Sequence, residues 1–170
     1  MPTFTFNKPV EDIEEPILLE EDWYRARIKE TPTIEPNKKM QEDSTQEGAG
    51  HNLLIKLTLI DGEAEGRRFQ LYLPWPSLED EDKYDGIGMK ISDAKMQRIS
   101  NFVEQFGGVV DGTDIVVEEN MEGYVYVNRG LDQSGQVMRN NVDPFAGFKS
   151  VKEGEENLLN SKSMEDDISF

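Results

Sequence analysis

Asn52-Leu53-Leu54-Ile55-Lys56-Leu57-Thr58-Leu59-Ile60 decides the fold. Successive side chains of a strand point to opposite faces, so Leu53, Ile55, Leu57 and Leu59 line one side and Lys56 and Thr58 the other. Asp61-Gly62 opens a connection that ends at Gly66, and Arg67 to Leu73 repeats the alternation as a partner strand. There Phe69, Leu71 and Leu73 oppose Arg68, Gln70 and Tyr72.

Upstream, Trp23-Tyr24-Arg25-Ala26-Arg27-Ile28-Lys29 alternates in the same way, until Pro32 and Pro36 end the strand. Asn37 to Gly50 has the composition of a mobile loop. Downstream, Pro74-Trp75-Pro76 and the acidic run to Asp85 make another loop. Ser92 is suited to cap a helix and Asp93 to its first turn. Met96, Ile99, Phe102, Val103 and Phe106 then recur at helical spacing as a core face, and Gly107-Gly108 stops the helix. Ile115-Val116-Val117 reads as a short extended piece. Gly123 to Asn128 is a strand, Gly130 to Gly135 a turn and Gln136 to Val142 its hairpin partner.

The order is therefore strand, strand, strand, helix, strand, strand. A mainly β, five-stranded OB-fold barrel has this order, with one helix between strands three and four. A β-sandwich has no place for that helix, and α/β folds need more helices. The expected organisation is an acidic N-terminal arm over residues 1–22, an OB-fold domain over 23–151 and a disordered acidic tail over 152–170. The arm mixes prolines and acids with Ile13, Ile17, Leu18 and Leu19, which suits an irregular segment lying against the core.

With 36% hydrophobic and 31% charged residues, the chain suits a modest core with polar extensions. A net charge of −17 argues at first against nucleic acid, which needs local cations. Its distribution reverses that argument. Residues 1–22 hold seven acids and one lysine, and residues 151–170 hold six acids and two lysines, so the ends carry −10 of the −17. Much of the rest lies in loops such as Glu79 to Asp82, whereas the cations fall on the strands.

Single-strand binding without sequence choice needs cations that track phosphates and flat rings on which bases stack. Trp23, Arg25, Arg27 and Lys29 share one face of the first strand, opposite its apolar residues. Lys56, Arg68 and Tyr72 supply the outer face of the next two strands, and Tyr124 and Tyr126 that of the fourth. Lys38, Lys39, Arg129 and Arg139 either extend this set from loops or are simply solvated. Trp75, between two prolines, is either a platform for a base or a lid on the barrel. Each stacked base contributes roughly 1–3 kcal/mol, and phosphate contacts make the affinity fall with salt.

The last residues, Glu165-Asp166-Asp167-Ile168-Ser169-Phe170, set three acids before two apolar side chains. Such a tip can dock, its acids drawn to a basic rim and Ile168 and Phe170 entering an apolar pocket. It resembles the acidic, phenylalanine-ended tip of bacterial single-stranded DNA-binding proteins, with Ser169 where that pattern usually has proline. The layout from Trp23 to Val151 resembles phage-encoded OB-type single-stranded DNA-binding proteins. Supporting fragments are Leu59 to Gly62, Phe106-Gly107-Gly108 and Ala146-Gly147-Phe148. The resemblance implies sequence-independent single-stranded DNA binding in phage replication or recombination. It also implies a tail that recruits replication or recombination proteins and competes with DNA.

Other chemistries find little support. The chain has no cysteine and one histidine, His51, which leaves no zinc site or Cys/His nucleophile pair. Asp111-Gly112-Thr113-Asp114 resembles part of a calcium loop but lacks the closing glutamate at the right spacing, so it reads as a turn. Gly86-Ile87-Gly88 is not a phosphate-binding loop. A non-enzymatic protein without cofactor or metal is expected. Its expected place is the cytoplasm, that of the host if phage-encoded: the chain has no cysteine and no spanning apolar run, and its first residues do not read as a signal peptide. Homo-oligomers are common in this fold class, but no interface is legible. The competing class is an acidic structural adaptor or DNA mimic, which would spread carboxylates over the same face. A carboxylate-dependent nuclease is the third, and would need magnesium.

Overall fold

The computed structural model describes residues 1–14 and 17–168, with side chains placed as far as residue 159. Its centre is β3 (His51–Leu59), whose Leu53, Ile55, Leu57 and Leu59 are all buried. One edge of β3 pairs with β4 (Arg68–Pro74), with Leu57 opposite Phe69 and Ile55 opposite Leu71. Two strands share the other edge. β2 (Thr33–Pro36) pairs along Leu53 and Leu54, and β1 (Asp22–Ile28) along Leu57 to Leu59.

The second edge of β1 pairs with β7 (Glu122–Leu131), which in turn carries β8 (Met138–Val142) and the short β9 (Phe148–Lys149). All these pairings are antiparallel. The chain is thus mainly β, and the alternation read in four strands sets which face is buried. Tyr24, Ala26 and Ile28 of β1, with Val125 and Val127 of β7, join the β3 leucines in one core.

The closed barrel expected from the strand order is not formed. The two ends of the sheet, β4 and β8, come within 8 Å between Cα atoms, yet no ladder joins them. The physical reason is the arm. An Arg67 Nη1 hydrogen donates to the Ile17 carbonyl at 2.7 Å. Asn140 of β8 accepts from the Leu19 N–H at 2.8 Å and donates to its carbonyl at 3.0 Å. Residues 17–19 therefore bridge the gap where β4 and β8 would otherwise meet.

The helix after β4 is α2, over Ile91–Gln105. It starts two residues earlier than expected: Lys90 is the N-cap position, without a side-chain cap, and Ser92 is buried in the first turn. Ile99, Phe102, Val103 and Phe106 pack into the core, and the Phe102 and Phe106 rings lie 4.5 Å apart. Met96, expected on that face, is half exposed instead. Gly107, at φ +87°, ends the helix in a conformation that costs glycine little.

Three further segments differ from the sequence reading. The loop over 37–50 contains a short helix, α1 (Lys38–Glu42), capped by Asn37, whose side chain accepts from the Met40 N–H. The region 109–116 is a hairpin of β5 (Val109–Asp111) and β6 (Asp114–Val116), with Gly112 in its turn. The expected disordered tail is helical: α3 spans Val151–Ile168. A polar segment gains helix when tertiary packing fixes one end. Here Ser150 Oγ accepts from the Glu153 N–H, and buried Gly154 lies directly on the Tyr124 ring. The tip side chains Glu165, Asp166, Asp167 and Ile168, and Phe170 altogether, lie outside the described residues.

Candidate nucleic-acid interface

Cross-strand partners project to the same face, so the register aligns the outer side chains in rows. Arg68, Thr58, Arg27 and Glu122 form one row across β4, β3, β1 and β7. Beside it, Lys56 sits opposite Gln70, Arg25 opposite Tyr124 and Trp23 opposite Tyr126. The alternation thus brings Trp23, Arg25, Arg27, Lys56, Arg68, Tyr72, Tyr124 and Tyr126 to one side of the sheet. Electrostatics divides that side into two halves.

On the β1–β7 half the cations are engaged. Glu122 Oε1 accepts from Arg25 at 2.9 Å and Glu122 Oε2 from Arg27 at 3.1 Å, while Glu155 of α3 accepts from Arg25 at 3.1 Å. Helix α3 covers Tyr124, which is only 3% exposed. Burial first, then the Asp61 and Glu155 carboxylates, push the Tyr124 phenol pKa up against the opposing pull of Arg25. Trp23 packs edge-on to Tyr126 at 5.5 Å and carries Lys149 Nζ 4.1 Å from its ring centroid. Tyr124 is therefore a packing residue, because the helix folded over it.

The β3–β4 half leads into the gap between β4 and β8. This is a groove of about 750 Å³, lined on one side by Arg67, Arg68, Gln70 and Tyr72 and on the other by Met138, Arg139 and Asn141. No carboxylate is among the lining residues. Tyr72 is 49% exposed and hydrogen-bonds Gln70 through its hydroxyl. A neighbouring groove of about 340 Å³ shares Arg68, Phe69 and Gln70 and adds Lys29, Lys56 and Glu30. The two form one trough with five cations and one carboxylate, and Glu30 is spent on Lys56 at 3.2 Å. Arg139 reaches Asp132 at 3.6 Å, a loose ion pair. Such a trough can take phosphates along its basic wall and a base against Tyr72.

The other sequence candidates lie elsewhere. Lys38 and Lys39 belong to α1, and Lys39 packs against Gly48. Trp75 packs on the core beside Met96, Ile99 and Val110, as a lid between α2 and the β5–β6 hairpin. Arg129 holds the arm: it donates to the Leu19 carbonyl at 2.8 Å and pairs with Glu20 at 3.3 Å. Arg67 was missed, since it reads as the first residue of a strand on the apolar register. Its neighbour Gly66, at φ +88°, marks the turn that re-aims the chain there. Among the described residues no three acids or histidines gather to hold a metal, and no helix is long and apolar enough to cross a membrane.

No protein-family model matches the chain, and no curated protein does.

Proposed function

We propose that this protein binds single-stranded nucleic acid, DNA in the first instance, without catalysis and without sequence choice. One observation carries the reading. In a chain of net charge −17, a groove of about 750 Å³ is lined by three arginines, an exposed tyrosine and no carboxylate. A random placement of 35 acids against 18 bases would put carboxylates there. The strand order supports an OB-type fold left open at the β4–β8 gap, and β3 and β4 correspond to the second and third OB strands, the usual binding face. On the resemblance stated above, the protein serves phage replication or recombination, and Glu165, Asp166, Asp167, Ile168 and Phe170 recruit partner proteins.

The interface differs from the sequence expectation in its centre. Arg67, Arg68, Arg139, Lys29, Lys56 and Tyr72 carry it, while Trp23, Arg25, Arg27 and Tyr126 lie at a flank. The neutralisation of Arg25 and Arg27 by Glu122 and Glu155 favours a second reading, an acidic adaptor that binds a protein through this flank.

Titration of labelled oligo-dT and a matched duplex at two salt concentrations separates the readings. Tight, salt-sensitive binding to the single strand alone is expected. Arg68→Glu with Arg139→Glu should weaken it strongly, and each lost phosphate contact should lower the salt slope by about 0.7. Equal or absent binding to both nucleic acids rejects the DNA reading and leaves the adaptor.

A further inference from the structure

The β4–β8 gap has a second property, independent of its charge. Its walls are strand edges that, among the described residues, pair with no further strand. The Leu59 N–H donates to the Arg67 carbonyl, which makes Thr58 and Arg68 a pair whose own N–H and C=O groups point away from each other. The alternation then turns the main-chain groups of Arg68, Gln70 and Tyr72 outward from β4, into the gap. The same argument applies to β8. The Asp132 N–H donates to the Val137 carbonyl and the Asp143 N–H to the Tyr126 carbonyl, so Met138, Asn140 and Val142 face the gap. Unpaired edges of this kind are templates for another extended segment.

A segment suited to them lies in the same chain. Thr3-Phe4-Thr5-Phe6 alternates β-favouring residues, and every described residue from 1 to 14 is exposed. Phe4 is 90% and Phe6 78% exposed, a large apolar load to leave at the surface. Residues 1–14 carry Glu11, Asp12 and Glu14 against Lys8, and the groove offers three arginines, so the charges are complementary.

We propose that the β4–β8 gap receives the N-terminal arm, residues 3–14, of a second copy of this chain, so that protomers exchange arms. Residues 17–19 of each chain are already pinned at the gap by Arg67 and Asn140, and exchange of the residues before them leaves that anchor in place. From Phe6 to Ile17 the chain can span roughly 36–40 Å when extended, enough to reach a neighbour. The nearest approach of β4 and β8, within 8 Å, is under the roughly 9.6 Å of two ladder spacings. The arm therefore adds along one edge where the gap is open, and is not sandwiched between both edges throughout. Where nucleic acid uses the same trough, arm and strand exclude one another.

Because the chain has no cysteine, single cysteines report the contact cleanly. Full-length chains carrying Phe6→Cys are mixed with chains carrying Gln70→Cys, oxidised without nucleic acid and run on a non-reducing gel. The expected result is a cross-linked heterodimer, several-fold more abundant than with Thr113→Cys, on the β5–β6 hairpin, in place of Gln70→Cys. Phe4→Asp with Phe6→Asp should shift sedimentation of the otherwise native chain toward monomer. Three outcomes overturn the proposal: equal cross-linking with the Thr113→Cys partner, no cross-link at all, or an intramolecular cross-link at high dilution in the Phe6→Cys/Gln70→Cys double variant. Omitting nucleic acid keeps this test separate from the binding experiment, so either reading can fail alone.

Discussion

Gly154→Ala separates a docked α3 from a helix that merely continues the chain. In an exposed helix interior, alanine is favoured over glycine by roughly 0.8–1 kcal/mol. At this position an added methyl group would run into three atoms of the Tyr124 ring, all closer than any real side chain tolerates. The ring cannot retreat, since Tyr124 is 3% exposed and sits between α3 and the sheet. Overpacking of this kind costs about 1–3 kcal/mol. Subtracting the helix gain leaves a net loss between near zero and about 2 kcal/mol. For a domain of this size that is a fall in Tm of up to roughly 4–8 °C. Thermal unfolding followed by far-UV circular dichroism reads it, and the same substitution in a Tyr124→Ala background should regain the loss, the mark of a direct contact. A rise of roughly 2–4 °C in the single variant would show that alanine met only solvent, and the docking argument for Tyr124 and Arg25 would fall with it.

Two other perturbations test the packing of the segment before α2 and the anchoring of the arm. Burial works against the Asp80 carboxylate, but hydrogen bonds from Lys95 at 2.7 Å and from Ser77 together outweigh it and hold its pKa below the ordinary value. Its contribution is therefore fully present above about pH 4, the unfolded value, and fades as pH falls through the lower folded value. Asp80→Asn should cost about 1–3 kcal/mol at neutral pH, with a smaller difference from the parent near pH 3; urea midpoints across that range check both. Asn140→Ala should cost a similar amount, about 1–3 kcal/mol, by leaving the Leu19 main chain without its partner. It should also speed proteolytic cutting within residues 1–22, and unchanged cutting would mean that Asn140 does not hold the arm.

The strands were legible because their signal is local. Leu53, Ile55, Leu57 and Leu59 alternate with Leu54, Lys56 and Thr58, and a one-residue slip would have exposed all four. The Phe102–Phe106 stripe and the glycine stop at Gly107 are equally local. The arm's attachment was legible in outline, as apolar residues near Leu19, but not its partners, which lie 121 positions away at Asn140. Of the candidate site, Lys29, Lys56, Arg68 and Tyr72 follow from outward alternation, and Arg139 entered as a loop cation. Arg67 was missed because a strand's first residue, at a turn, does not obey it. Tyr124 was read correctly as outward and wrongly as available, because outward on a sheet is solvent only where nothing folds over it.

Composition and period-two patterning by themselves determined a mainly β chain with one central helix, cations on strands and carboxylates in arms and loops. Only the tertiary structure decided that the sheet stops short of closure, that α3 lies on Tyr124 and that Glu122 and Glu155 silence one half of the cationic face. The reason is physical. Alternation fixes which way a side chain points, a property of its own strand, whereas closure, cover and charge pairing depend on residues far along the chain that approach only once the sheet has curled.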